Sequence, residues 1–175
     1  MDLEGPVEEV APGLLGCVVA GHGVAVRLTE VEAYSGEGLD PASHAHRGRT
    51  PRSDIMFGPA GLLYVYFSYG VHWCANVVTG PEGRASAVLL RAGEVVDGHD
   101  TARARRPGAA DRDLCRGPAR LARALALDGD ALGLDLLDPA SPVRLLTGAH
   151  DGTVLAGPRV GVAQGARTPW RCSTS

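Results

Sequence analysis

Two glutamates and a tyrosine alternate along one β-rich segment of the sequence, residues 24–34. Glu30, Glu32 and Tyr34 are two positions apart, and side chains at that spacing in a strand project from the same face. Two carboxylates and a phenol on one face could accept a proton from water or from a substrate. The same pattern also occurs on solvated strand faces, so the chemical interpretation requires a pocket opposite these residues.

A tyrosine-rich segment, residues 61–70, could supply that pocket. Tyr64 and Tyr66 share one face of a predicted strand, whereas Tyr69 falls on the opposite face near a glycine turn. Aromatic strand residues are commonly core residues. However, the chain has four tyrosines and only two phenylalanines, which favours amphipathic surfaces over a buried interior. We predict that these rings can stack on a nucleic-acid base.

The histidines and cysteines do not predict a metal site. His44 and His46 could form a pair of ligands, but no further ligand stands near them at the required spacing. The four cysteines are far apart and include no Cys-x-x-Cys pair. A stretch beginning at Asp128 starts like a calcium-binding loop, but Leu132 and Pro139 occupy positions that need oxygen ligands. We therefore expect no metal and no cofactor, and cysteines that are reduced and packed.

The basic residues are all arginines: the chain has 17 of them and no lysine. Schiff-base catalysis needs an amine, so only the α-amino group remains for that chemistry. The formal net charge of -3 and the pI of about 6.0 argue weakly against nucleic-acid binding. Arginines nevertheless cluster in two regions, and a local basic patch can contact phosphates on an acidic protein. The first region holds Arg47, Arg49 and Arg52, and the second holds Arg103, Arg105, Arg106, Arg112, Arg116, Arg120 and Arg123.

Residues 1–175 are predicted to form a single domain, since a chain of this length fits one hydrophobic core. Hydrophobic residues make up 45% of the chain, and no apolar run approaches the roughly 20 residues that span a bilayer. The first five residues are acidic where a secretory signal would be basic and then apolar. We therefore expect a cytoplasmic protein that does not enter membranes.

Strand patterns dominate the sequence. Strand, glycine turn and strand follow one another in residues 14–34, a second hairpin is predicted in residues 61–78, and a third strand pair in residues 85–96. Two further short strands are predicted at residues 143–146 and 160–162.

Helical spacing of apolar residues is confined to residues 101–127, where Gly117-Pro118 opens a stretch with leucines and alanines one turn apart. Residues 35–59 have little apolar periodicity and are predicted to form a long surface loop, which commonly carries functional residues. The predicted class is therefore α+β, with a mainly antiparallel sheet.

Several specific blocks stand in one order along nearly the whole chain. They are Glu30-Val31-Glu32-Ala33-Tyr34, Ser43-His44 with Arg49-Thr50-Pro51-Arg52, Met56-Phe57 through Tyr69-Gly70, Asn76, Leu89-Leu90-Arg91, Arg112 through Pro118, and Gly157-Pro158-Arg159-Val160-Gly161-Val162. Together these blocks closely resemble the alkyladenine, or 3-methylpurine, DNA glycosylase family. The resemblance implies a single domain with a curved, mainly antiparallel sheet, a protruding tyrosine-bearing β-hairpin and flanking helices. We expect a monomer whose partner is double-stranded DNA containing damaged purines.

The resemblance assigns chemical roles to residues of this chain. Glu32 matches the family's general base, which deprotonates a water aimed at C1′ of the flipped nucleotide, and Arg91 matches an arginine near the sugar and that water. Tyr34, His44 and Tyr66 match the residues that sandwich the extruded base. Alkylation makes the base a good leaving group, so one carboxylate can suffice for hydrolysis.

Three further residues have counterparts in the family. Tyr69 matches the wedge that fills the gap left in the duplex, and Asn76 matches the side chain that collides with the 2-amino group of guanine. Glu30 matches a neighbouring carboxylate without the general-base role. The implied activity is base-excision repair, in which alkylated or deaminated purines such as 3-methyladenine are flipped out and their N-glycosidic bond is hydrolysed by a glutamate-activated water.

Two other classes of protein remain compatible with the residues alone. A non-catalytic module that binds damaged nucleic acid could use the same aromatic pocket, but pure binding gains nothing from a carboxylate such as Glu32 near phosphates. A small-molecule hydrolase could use Glu30 and Glu32, but the arginine clusters and Tyr69 would then have no role.

Overall fold

The computed structural model describes residues 2–175. Within this range it contains three α-helices and eight β-strands. The helices are α1 (Val7–Gly13), α2 (His99–Arg105) and α3 (Pro118–Ala124). The strands are β1 (Val18–Gly21), β2 (Val24–Tyr34), β3 (Leu63–Ser68), β4 (His72–Val78), β5 (Ala87–Asp97), β6 (Val143–Leu146), β7 (Val154–Gly157) and β8 (Arg171–Thr174).

These strands belong to one curled sheet. Its main path runs β3-β4-β5-β2-β1-β6, and β8 pairs with both β2 and β7. Every pairing between the named strands is antiparallel. The predicted α+β class with a curved, mainly antiparallel sheet is confirmed, whereas the protrusion of the tyrosine-bearing hairpin stays a prediction.

Helix α3 packs against β4 and β5. Pro118 stands in its first turn, where the fixed φ of proline suits a helix and the missing N–H is not needed. Leu121 and Leu125, one turn apart, are completely buried, and burial of a leucine contributes roughly 1.5–3 kcal/mol. Truncation of Leu121 to alanine would cost about 2–5 kcal/mol. The helix thereby holds the two strands that carry Asn76 and Arg91.

Strand β2 is irregular where its two glutamates lie. Its pairing with β5 shifts register between Leu28 and Glu30 and again between Glu30 and Val31, as β-bulges do. A Cβ on Gly93 of β5 would lie 2.4 Å from a methyl carbon of Val26, so only glycine allows this close approach. The other edge of the same stretch pairs with β8. The two glutamates therefore lie in the middle of the sheet, between β5 and β8.

The predicted third strand pair is wrong, because residues 85–96 contain one long strand, β5. This strand pairs with β2 along its length and with β4 over its first part. Gly93 lies within this strand, at the close approach to β2.

The predicted strand at residues 160–162 is also wrong, because these residues form a loop. Pro158 lacks an N–H, and Gly161 has a φ of +80°, so the segment cannot continue a strand ladder. The N–H of Val160 bonds instead to the side chain of Glu32. The strand predicted at residues 143–146 is confirmed as β6, whereas β7 and β8 were not predicted.

The remaining predicted elements agree with the structure. Helix α3 follows Gly117, as expected, and most of α2 falls within the predicted helical region. Residues 35–59 form the predicted long loop, apart from a short 3₁₀ turn at Asp54–Phe57. This loop supplies one side of the site described below.

The interior holds all four cysteines, which are free and buried, as predicted. Cys172 lies on β8 and belongs to the main hydrophobic core. Among residues 2–175, no helix is both long enough and apolar enough to cross a membrane.

Candidate active site

A cavity of about 670 Å³ opens between β2, the long loop and the β3–β4 hairpin. Residues 161–164, in the loop after β7, also contribute to its wall. Its volume falls in the range of small-molecule binding sites. Five residues predicted for the site line it: Tyr34, His44, Tyr66, Tyr69 and Asn76.

Glu32 does not line the cavity but is joined to it through Tyr34. The carboxylate is completely buried. The Tyr34 hydroxyl donates a hydrogen bond to Glu32 Oε1, and the Val160 amide donates to Oε2 over 3.0 Å. Because an ionised carboxylate has about four lone-pair sites, Glu32 keeps capacity to accept a hydrogen bond from a water.

Two arginines neutralise the paired glutamates. Arg91 Nε donates to Glu30 Oε1 over 2.7 Å, and Arg91 Nη1 lies 3.4 Å from Glu32 Oε2. On the other side, Arg171 Nη1 donates to Glu30 Oε2 over 3.0 Å. Charge-assisted contacts of this kind offset the cost of removing carboxylates from water. The structure thus brings together Glu30, Glu32 and Arg91, and adds Arg171, which sequence reasoning missed.

Three aromatic rings form one wall of the cavity. The ring centroids of His44 and Tyr66 are 4.6 Å apart in an edge-on arrangement, and those of Tyr64 and Tyr66 are 5.5 Å apart. His44 Nδ1 and the Tyr64 hydroxyl form a 2.9 Å hydrogen bond.

Burial is the main cause that raises the pKa values of the Tyr34 and Tyr66 phenols above their ordinary range. Both phenols therefore stay protonated and can donate hydrogen bonds at physiological pH.

The imidazole of His44 is neutral at physiological pH. Desolvation by the cavity walls, reinforced by the positive charge of Arg52, lowers the pKa of His44 from 6.5 to about 4. A neutral ring can face a cationic base without electrostatic repulsion. His44 therefore adds no positive charge to the cavity wall.

Asn76 is buried, and its Nδ2 donates to the Tyr64 carbonyl over 3.0 Å, which fixes the orientation of the amide. Tyr69, by contrast, is 88% exposed and lies in the hairpin turn with a φ of +50°. Tyr66 and Tyr69 border the same cavity, so their predicted opposite orientation is not confirmed. Strand alternation ends at the turn and does not fix the direction of Tyr69.

Comparison with known families assigns the sequence to an enzyme class. A family model described as methylpurine-DNA glycosylase matches residues 1–175. The chain belongs to the methylpurine-DNA glycosylase family. It is accordingly a DNA glycosylase, a hydrolase of N-glycosyl bonds whose substrate is DNA.

The glycosylase is similar to bacterial relatives over most of its length. It is 56% identical to a protein of Nocardia farcinica (strain IFM 10152) over 165 residues, which cover 90% of this chain and 78% of the relative. It is 52% identical to a protein of Frankia casuarinae over 177 residues, covering 95% and 83% of the two chains. For a protein of Streptomyces avermitilis the identity is 51% over 175 residues, covering 95% and 82%. These three relatives are provisionally named 3-methyladenine DNA glycosylases.

Arg52 is a residue of the glycosylase's cavity that sequence reasoning did not single out. It lines the cavity, and its guanidinium carbon lies 5.1 Å from the centre of the Tyr66 ring, within reach of a cation–π interaction. The sequence indicated Arg52 only as one of three clustered arginines. Of the other two, Arg49 pairs with Asp54 at 3.0 Å, whereas Arg47 also lines the cavity.

A buried ion pair between Asp40 and Arg159 was missed as well. Arg159 Nη1 and Nη2 donate to the two carboxylate oxygens of Asp40 over 2.6 and 2.7 Å. The partners are 119 positions apart, and both lie in loops, which have no periodic signal. Only the block around Gly157-Pro158-Arg159 pointed to this region of the sequence.

Among residues 2–175, no group of three or more histidine, cysteine, aspartate or glutamate side chains is placed to hold a metal ion. His44 and His46 both line the cavity, but His44 Nδ1 is already bonded to Tyr64. The expectation that the enzyme uses neither a metal nor a cofactor stays a prediction.

Proposed function

We propose that the glycosylase flips an alkylated or deaminated purine, such as 3-methyladenine, out of duplex DNA into the cavity and hydrolyses its N-glycosidic bond with a water activated by Glu32. The observation that carries this proposal is the buried carboxylate of Glu32 directly next to an aromatic cavity, with Tyr34 belonging to both. The names of the relatives support the choice of 3-methyladenine as a substrate.

The reaction requires two contributions from the protein: a base for the water, and stabilisation of the positive charge that develops on the sugar. The oxygen of the water forms a bond to C1′ while the bond from C1′ to the purine nitrogen breaks, and the purine leaves with the bonding electrons. Glu32 accepts the proton of the water and, as an anion, stabilises the positive charge that develops on the sugar. With a purine that is already cationic through alkylation, the leaving group departs neutral and needs no separate acid.

The cavity supports the extruded base by stacking. Aromatic stacking contributes roughly 1–3 kcal/mol per base, which compensates part of the unstacking in the duplex. We propose that Tyr34, His44 and Tyr66 supply these surfaces and that Arg91 lies beside the sugar. We further propose that Tyr69 occupies the gap in the duplex. We also propose that the enzyme acts as a monomer.

The test is the substitution Glu32→Gln, which retains the size of the side chain but removes its charge and its ability to accept a proton. We expect the single-turnover rate of base release from a duplex with one 3-methyladenine to fall by about 10²–10⁴. Binding to the lesion duplex should persist or tighten, because a negative charge near the phosphates is removed. Filter binding and the quantity of abasic sites measure the two effects separately.

Glu94→Gln is the matched control, since Glu94 lies on β5 and its side chain is 70% exposed beside Arg27. This variant should release base at the wild-type rate. Glu30→Gln should lower the rate less than Glu32→Gln, because Glu30 acts by holding Arg91. A near-normal rate with Glu32→Gln would contradict the assignment. If the wild-type protein bound lesion DNA but released no base, it would be a binding module.

A further inference from the structure

Asp40 and Arg159 form a buried ion pair that does not line the cavity. The side chains of both partners are only 1% exposed. Besides Arg159, the Asp40 carboxylate accepts hydrogen bonds from the amides of Ser35 and Ala42 at 3.1 and 3.0 Å. Arg159 also donates to the carbonyl oxygens of Ala33 and Gly165. The two buried charges are thus each hydrogen-bonded to several partners.

The buried Asp40–Arg159 pair is charged in spite of the cost of removing charges from water. Burial works to lower the pKa of Arg159, but the hydrogen bonds and charge of Asp40 outweigh it and raise that pKa. Burial likewise works to raise the pKa of Asp40, but hydrogen bonds from Arg159 and from the Ala42 amide lower it overall. A buried pair of this kind is often no more stabilising than apolar residues of the same volume. Since stability does not account for the pair, its role follows from the groups that its contacts hold in place.

Those contacts converge on Glu32. Arg159 Nη1 donates to the carbonyl of Ala33 over 3.1 Å, and Ala33 is the residue between Glu32 and Tyr34 in β2. The guanidinium carbon lies 5.0 Å from the centre of the Tyr34 ring, so it fixes the ring whose hydroxyl donates to Glu32 Oε1.

Arg159 also positions the second group that donates a hydrogen bond to Glu32, a backbone amide. Val160, whose amide bonds to Glu32 Oε2 over 3.0 Å, directly follows Arg159 in the chain. The backbone N–H of Arg159 bonds to the Ala166 carbonyl over 2.8 Å, and its side chain is anchored to Asp40. The hydrogen bonds that the Tyr34 hydroxyl and the Val160 amide donate to Glu32 thus both depend on the position of Arg159.

We infer that Arg159, locked in place by Asp40, is a positioning residue that orients the Glu32 carboxylate through Tyr34 and the Val160 amide. This inference rests on the proposed function, since it assigns Arg159 a role in the step that Glu32 performs. Arg159 touches neither the base nor the sugar in this scheme. Its loss should slow the chemical step and leave the capture of the lesion largely intact.

Arg159→Lys is the most direct test, because lysine keeps the charge but cannot donate the planar fork that reaches Asp40 and Ala33 together. We expect the single-turnover rate to fall about tenfold to a hundredfold, as for small misplacements of a reacting group. The Kd for a lesion duplex should change by less than about threefold, as for a residue that acts on the chemical step alone. Asp40→Asn, which leaves Arg159 in the chain, should reproduce the effect if Arg159→Lys does not fold.

Arg103→Lys is the matched control. Arg103 also holds an aspartate, Asp111, with two hydrogen bonds, from Nε and Nη2 at 2.8 and 2.7 Å, but on the surface. This variant should keep the wild-type rate. If Arg159→Lys also kept it, or lost binding and rate in equal proportion, the positioning role would be wrong.

The double variant Glu32→Gln with Arg159→Lys separates positioning from general structural support. If Arg159 acts through Glu32, the double variant should release a cationic alkylated purine within about twofold of the rate of Glu32→Gln alone. A further large loss would overturn the inference, because Arg159 would then contribute without Glu32. Should Glu32→Gln itself retain the wild-type rate, the proposed function would fail instead, so the two failures are distinguishable.

Discussion

Glu30 and Glu32 lie two positions apart, yet their surroundings suit them to different tasks. Both oxygens of Glu30 are held by guanidinium groups, those of Arg91 and Arg171. Glu32 receives its hydrogen bonds from two neutral donors, a phenol and a backbone amide. Both oxygens of Glu30 are thus occupied in holding two arginines, whereas only Oε2 of Glu32 lies near a guanidinium group, that of Arg91 at 3.4 Å. The environment therefore favours Glu32 as the base and Glu30 as a support for Arg91.

Asn76 should act as a filter against guanine. Its amide is fixed by the bond from Nδ2 to the Tyr64 carbonyl, so it cannot turn away from a 2-amino group on a base in the cavity. Asn76→Ser or Asn76→Ala should therefore increase the release of normal guanine from undamaged duplex by about 10–200-fold, the range for a small steric difference. Chromatography of the released bases measures the gain. Unchanged guanine release would leave Asn76 with a purely structural role.

His44 should make the stability of the protein depend on pH. Its folded-state pKa, about 4, is below the value of 6.5 expected in the unfolded chain, so the unfolded chain binds more protons between these values. The free energy of unfolding should therefore fall as the pH decreases from 6.5 towards 4. Urea titrations at pH 7 and pH 5 should show a smaller loss for His44→Gln than for the wild type.

The positive charge of Arg52 can be tested as one cause of the lowered pKa of His44. NMR titration of the His44 ring should give a higher pKa in Arg52→Gln than in the wild type. Because part of the His44 side chain is open to solvent, water screens the charge and the change should be modest. An unchanged titration would leave desolvation as the whole cause.

The β3–β4 hairpin combines a strained turn with an exposed aromatic residue. Tyr69 has a φ of +50°, which costs a side chain other than glycine about 1–2 kcal/mol. Glycine removes this strain but loses roughly 0.5–1 kcal/mol more backbone entropy on folding. About 1 kcal/mol of the gain remains, so Tyr69→Gly should raise the Tm by about 2–4 °C. The same variant should bind lesion duplex more weakly, because it removes the proposed wedge. Calorimetry and binding to a fluorescent lesion duplex measure the two effects.

Tyr69→Ala separates the effect of the strained backbone from that of the aromatic ring, since alanine keeps the strain but lacks the ring. This variant should lose lesion-duplex binding without gaining thermal stability. Both variants should retain more activity on a mismatched or already unstacked lesion than on a paired one. Equal losses on the two substrates would count against the wedge.

Prediction from sequence succeeded where the signal was local and periodic. The alternation of Glu30, Glu32 and Tyr34 and the spacing of Tyr64 and Tyr66 follow directly from strand geometry. The sequence did not reveal the support around them. Asp40 and Arg159 meet across two loops, and no repeat in the sequence relates them.

Two errors have a shared cause. Residues 85–96 were predicted to form a strand pair, and residues 160–162 were predicted to form a strand. In each case the backbone satisfies a tertiary contact: Gly93 makes room for β2, and the Val160 amide reaches Glu32. Local propensity cannot anticipate a partner so distant in the chain.

The distribution of paired charges determines how an acidic protein can approach DNA. In the second arginine cluster, Arg103 bonds to Asp100 and Asp111, and Arg112 and Arg116 lie within 3.8 Å of Asp113. Three of the seven arginines in this cluster are therefore paired with carboxylates. Arg47 lines the cavity and has no carboxylate within 4.0 Å among residues 2–175. We therefore expect Arg47 to contact a phosphate at the cavity mouth.

Arg47→Gln should accordingly reduce the dependence of DNA binding on salt. The slope of log K against log salt concentration should decrease by about one, as expected for the loss of one phosphate contact. Arg103→Gln is the control and should leave the slope unchanged. If instead Arg103→Gln had the larger effect, the second cluster would be the contact surface.

The pairing of β2 with β8 has a consequence during translation. The ribosome makes Glu30 and Glu32 long before their partners at residues 171–173. Until then, this stretch of β2 is an open strand edge in the nascent chain, and open edges invite mispairing with other chains. Carboxylates on such an edge discourage that pairing. We therefore expect the two glutamates to keep the growing polypeptide from aggregating before the finished enzyme can act on DNA.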